Sequence, residues 1–176
     1  MLIAQQKQKE NIIEYLLYMW QLEDILRATN FDIKQIEKLI ISQYDVDADT
    51  TLEIRDWYLE FISKMREQKI TDKGHLEELY EIVNELNFLH NSLYQIQQNK
   101  AYIGLFEAAE PNIEILRRKT PNATLNLVET CLNGVYGLLV LKLKKKQITE
   151  ETSQAISTIS KVLGFLAREY KGYKNQ

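Results

Sequence analysis

Cysteine, proline, glycine and histidine are all scarce in this chain of 176 residues: one Cys, two Pro, six Gly and two His. Each scarcity removes a class of protein. A lone Cys131 forms no intrachain disulfide and builds neither a thiolate zinc site nor a Cys-x-x-Cys redox pair, a usage that suits a reducing compartment. So few prolines and glycines cannot turn the many short strands of a sandwich or barrel, and the expected class is all-α. Charge of neither sign dominates. The 22 Lys and Arg stand among 25 Asp and Glu for a net charge of −3, so no basic footprint for a phosphate backbone emerges and nucleic acid is not an expected partner. The longest apolar run, Val135 to Leu141, is far below the roughly 18 residues of a membrane span. Membrane is not an expected partner either. The first ten residues carry no apolar core and no small-residue cleavage site of a signal peptide, which points to the cytoplasm.

Two histidines leave little room for catalysis. Di-iron bundles require Glu-x-x-His pairs facing inward, but Asp72 and Asn87 precede His75 and His90 by three residues. A His-Glu-x-x-His motif and a Gly-rich phosphate loop are absent, and Arg66 is too far ahead of His75 for a helical toxin-type ribonuclease. Asp45-x-Asp47-x-Asp49 has the spacing of the first calcium ligands of an EF-hand, yet Thr50 stands where that loop needs glycine and Asp56 where it needs glutamate. These acids read as an exposed loop favouring a helix N-terminus. No metal and no cofactor is expected, nor an enzyme.

What is present is helical periodicity. The first helix is expected from Gln5 to Ala28. Its apolar residues, from Ile12 to Leu26 and including Tyr15, Met19 and Trp20, cover an arc of about 220°, leaving a strip of Lys7, Glu10, Glu14 and Gln21. A second helix runs from Phe31 to Tyr44. A Thr50-x-x-Glu53 capping box then opens a third, with Ile54, Trp57, Tyr58, Phe61, Ile62 and Met65 on one face. After Thr71–His75 a fourth helix reaches Gln98, and Ala101 to Ala109 form a fifth that breaks near Glu110, ahead of Pro111. Thr120-Pro121 starts a sixth helix, running to Lys145, and Thr149 opens the last. The expectation is one domain over residues 1–176, a single bundle of about six or seven mostly antiparallel helices with the first and sixth most buried. Gly134 and Gly137 in the sixth suggest a close backbone approach, since each costs about 1 kcal/mol relative to alanine inside a helix.

His90, between Leu86 and Tyr94 on an apolar stripe, reads as a core histidine bonded to a neighbour. Glu23 and Arg27 form an i, i+4 pair on the apolar arc beside Trp20, and charges there need partners. A buried network that draws in Asp24, with Glu129 or His75 from other helices, is the candidate site. Arg117–Lys119 and Lys144–Lys146 complement helix C-termini.

The segments Lys9–Ala28, Thr71–Leu76 and Glu129–Thr149 resemble, in residues, order and spacing, a bacterial family of small all-helical proteins known only as a domain of unknown function. The resemblance brings no activity or ligand. It directs attention to Glu14, Trp20, Glu23, Asp24, Arg27, His75 and Glu129 as a polar cluster or pocket. The expected function is that of a non-enzymatic helical interaction or scaffold protein that self-associates, as a homodimer through apolar helix faces. The alternative is a small-molecule-binding protein or enzyme using Glu23, Asp24, Arg27, His75 and Glu129.

Overall fold

A computed structural model describes residues 2–119 and 125–174, residue 2 by its backbone alone. Among the described residues there are eight α-helices and no strand. Where a single bundle was expected, the chain groups into two compact units: Met1–Glu10 with Glu14–Tyr80, and Asn11–Ile13 with Glu81–Gln176.

The first unit holds α1 (Leu2–Glu10), most of α2 (Ile12–Ala28), α3 (Ile33–Leu39), a 3-10 turn (Ile41–Gln43), α4 (Ala48–Glu67) and the first residues of α5 (Glu77–Asn91). The expected first helix is interrupted at Asn11, whose side-chain oxygen accepts the Ile13 N–H at 3.0 Å. Such local bonding competes with the helical ladder and starts a new helix. Beyond that break, the wide apolar arc is realised: Leu16, Met19, Trp20, Leu22 and Leu26 are all buried. The cap of α4 is Asp47, not Thr50. Its carboxylate accepts the Thr50 N–H at 2.8 Å and the Thr50 hydroxyl at 2.9 Å, and these bonds hold its pKa below the usual carboxylate range. Ile54, Tyr58, Phe61, Ile62 and Met65 of α4 face the core, while Trp57 is half-buried. At its end Lys69 takes φ 57°, and Lys69 and Ile70 donate back to Arg66 and Met65. This is a Schellman ending in which lysine occupies the left-handed position usually given to glycine.

In the second unit α5 runs into a π-turn (Ser92–Ile96), after which come α6 (Lys100–Lys119), α7 (Leu127–Leu143) and α8 (Glu150–Lys174), with α6, α7 and α8 packed on one another. The break expected near Glu110 does not occur. Pro111 faces solvent, and Tyr102, Phe106, Ala109 and Ile113 form one buried stripe across it, so packing outweighs the missing N–H. The start expected at Thr120-Pro121 lies outside the described residues. α7 is opened by Asn126, which accepts the Glu129 N–H at 2.8 Å.

The sixth helix of the sequence reading, α7, is not among the most buried. Only Val128, Thr130, Cys131 and Leu132 are buried in it, whereas α8 buries eight positions from Ile156 to Tyr170. α6 and α8 pack on α7, and from Asn133 onward α7 is half-buried or exposed. The close backbone approach expected at Gly134 is one of side chains: a Cβ there would overlap the Leu116 side chain and lie 3.3 Å from that of Ile156. Gly137 meets open space instead.

Candidate functional site

Trp20, Glu23, Asp24 and Arg27 follow one another on α2 at helical spacing, so they share one face. The segment 70–76 after α4 lies against that face, and Gly74 turns it with φ +94°, a conformation strained for any side chain. Glu23 is wholly buried. Its Oε2 lies 2.5 Å from His75 Nδ1 and its Oε1 accepts the Leu76 N–H at 2.9 Å. An ionised carboxylate only accepts, so in this contact Nδ1 carries the hydrogen. The imidazole stacks on the Trp20 indole with centroids 4.0 Å apart and planes 10° off parallel, and the Tyr80 ring meets it edge-on at 5.8 Å.

Arg27 completes the arrangement. Its guanidinium donates to the Ile70 carbonyl at 3.2 Å, to the Gly74 carbonyl and to Asp24 at 2.9 Å. Its side chain is largely buried while that of Asp24 is half-exposed. Chemically, an imidazole oriented by a buried carboxylate is the pairing from which general bases are built. Here, though, the same carboxylate caps a backbone N–H and the neighbouring guanidinium holds two backbone carbonyls. The hydrogen bonds pin the 70–76 segment to α2.

Five of the seven residues expected in a cluster therefore meet: Trp20, Glu23, Asp24, Arg27 and His75. Glu14 does not join them; it is exposed and paired with Lys7 at 3.4 Å. Glu129 belongs to the second unit, in the first turn of α7. Sequence reasoning missed the backbone partners, Ile70, Gly74 and Leu76, because main-chain groups leave no residue signature. Gly74 beside His75 was the only available hint.

His90 Nδ1 lies 2.6 Å from the Tyr102 hydroxyl, with the Tyr94 and Phe106 rings against it, and burial lowers its pKa. Cys131 is buried and its thiol is pushed up to about 12 by desolvation, which makes it a poor nucleophile. Among the described residues no group of three or more His, Cys, Asp or Glu has the geometry to hold a metal ion. No helix among them is long and apolar enough to cross a membrane.

A family described as "Domain of unknown function (DUF4924)" matches residues 1–176. The chain belongs to that family. No curated protein and no solved structure matches it. Membership in DUF4924 agrees with the resemblance carried by Lys9–Ala28, Thr71–Leu76 and Glu129–Thr149, and extends it over the whole chain.

Proposed function

We propose that this DUF4924 protein is a non-enzymatic helical interaction module, working in the cytoplasm, that pairs with a second copy of itself through the half-buried and exposed second half of α7. One observation carries the reading: beyond Leu132 no residue of α7 is buried, although Val135, Leu138, Leu139, Val140, Leu141 and Leu143 all lie there. A helix apolar around its circumference is normally covered, and a contiguous apolar surface of this kind marks an interaction site.

A second copy fits because a two-fold contact has to be self-complementary. Lys142, Lys144, Lys145 and Lys146 end α7, and one short loop separates them from Glu150 and Glu151 in the first turn of α8. An apolar surface is self-complementary without any pairing of those charges, since each copy offers the other the same aliphatic side chains. Gly137, with open space where a side chain would stand, admits a close partner backbone.

The enzymatic alternative is the weaker reading, since Glu23 and Arg27 hold their own chain's backbone. Sedimentation velocity over about two decades of concentration tests the proposal. The expected result is a dimer for the natural chain and a monomer for Leu141→Glu with Leu143→Glu, both positions being exposed and free to accept charge without loss of the fold. A natural chain that stays monomeric throughout overturns it.

A further inference from the structure

A groove of about 230 Å³ opens within the first unit between α1, α2, α4 and the start of α5. Its floor is apolar and buried, made by Met19, Phe61 and Leu76. The half-buried Trp57 indole and the Tyr15 ring form walls, and Glu60, Lys64 and Glu78 stand at the rim. Lys64 Nζ lies 3.2 Å from Glu78 and 3.7 Å from Glu60, so the rim carries two negative charges against one positive. We infer that this groove binds a small organic cation, an ammonium carried on an aromatic or short apolar body.

Shape limits the ligand first. The volume is below the roughly 300–1,000 Å³ typical of sites for drug-sized molecules, which restricts the occupant to about one ring and a short arm. Aromatic walls favour a flat apolar body, and an indole face also attracts a cation. Charge then selects the head group. A monocation neutralises the rim's excess negative charge, with Glu60 and Glu78 as charge-assisted acceptors, whereas a carboxylate would add to it. Trp57 and Glu60 also border a second hollow, lined by Glu53 and by Asp56, which lies 3.9 Å from Arg55. Tyr15 stands beside the same carboxylates: burial first, then Glu78 and Glu23, hold its phenol above the usual pKa.

The test is a titration of the full chain, uniformly labelled with nitrogen-15, with three isosteres: phenethylamine, 2-phenylethanol and 3-phenylpropionate. Phenethylamine is expected to shift the Trp57 indole N–H resonance saturably, with a dissociation constant no weaker than about 1 mM, and the other two are expected to bind at least threefold more weakly. Glu78→Gln and Glu60→Gln, both at partly exposed positions that tolerate the change, should each weaken phenethylamine at least threefold. No saturable shift up to about 10 mM, equal binding of the phenylpropionate, or affinity unchanged in both variants overturns the inference. None of these readouts depends on whether two copies of the chain pair.

Discussion

Glu23 makes the sharpest energetic statement in the molecule, because a buried carboxylate is tolerated only with its lone pairs filled. Glu23→Ala leaves the part-buried His75 Nδ1–H and the buried Leu76 N–H without their acceptor, and is expected to cost about 3 kcal/mol in urea denaturation. Glu23→Gln keeps a carbonyl acceptor and should cost less. His90 sets a pH dependence whose sign follows from its burial. The folded pKa lies below the unfolded value of about 6.5, so the neutral ring's contribution is complete above that pH and is lost as pH falls through the folded value. The urea midpoint is therefore expected to drop between pH 7.5 and 5.5 more steeply in the natural chain than in His90→Gln. Glu85, held low by the Tyr170 hydroxyl and Lys174, keeps its contribution above the unfolded glutamate pKa of about 4.3 and acts below this window.

In α7 the two glycines of one sequence motif have opposite surroundings, and a pair of alanine variants separates them. Gly137→Ala fills open space and removes glycine's helix penalty, so chemical denaturation of the monomeric Leu141→Glu, Leu143→Glu background should show a gain approaching 1 kcal/mol. Gly134→Ala has to displace Leu116 and crowd Ile156, and should fall clearly short of that gain or reverse it. Such distinctions were not readable beforehand. Periodicity revealed the buried stripe of α4, because one face meets one core. It did not reveal the breaks. Asn11 ends a helix by a bond to Ile13 that competes with a ladder the sequence otherwise favours, and Pro111 fails to end one because its ring faces solvent. Asp47 displaced Thr50 as a cap since two oxygens accept two donors from the same residue. The cluster of Trp20, Glu23, Asp24 and Arg27 was legible from α2 alone, where helical spacing groups them. That His75 joins it and Glu129 lies in the other unit depends on tertiary placement, which local patterns do not encode.

For the whole molecule, the proposed contact is apolar and Lys142, Lys144, Lys145 and Lys146 stand beside it in both copies, so salt acts on pairing by screening like charges. Raising salt from 0.1 M to 1 M shortens the screening length from about 10 Å to about 3 Å. The dimer dissociation constant is therefore expected not to rise in equilibrium sedimentation, while Leu141→Lys should already be monomeric at low salt. Both tryptophans, Trp20 and Trp57, sit in the first compact unit, and the one cysteine, Cys131, sits buried in the second. Each half of the chain thus carries a native optical or chemical label that the other lacks. Indole fluorescence follows the first half losing its packing, and the rate at which a disulfide reagent reaches the thiol follows the second half opening, without any substitution. Coincident transitions mean that the two halves melt as one cooperative body; a thiol that reacts while the indoles stay quenched or shifted as in the folded chain means that the α7 half breathes by itself.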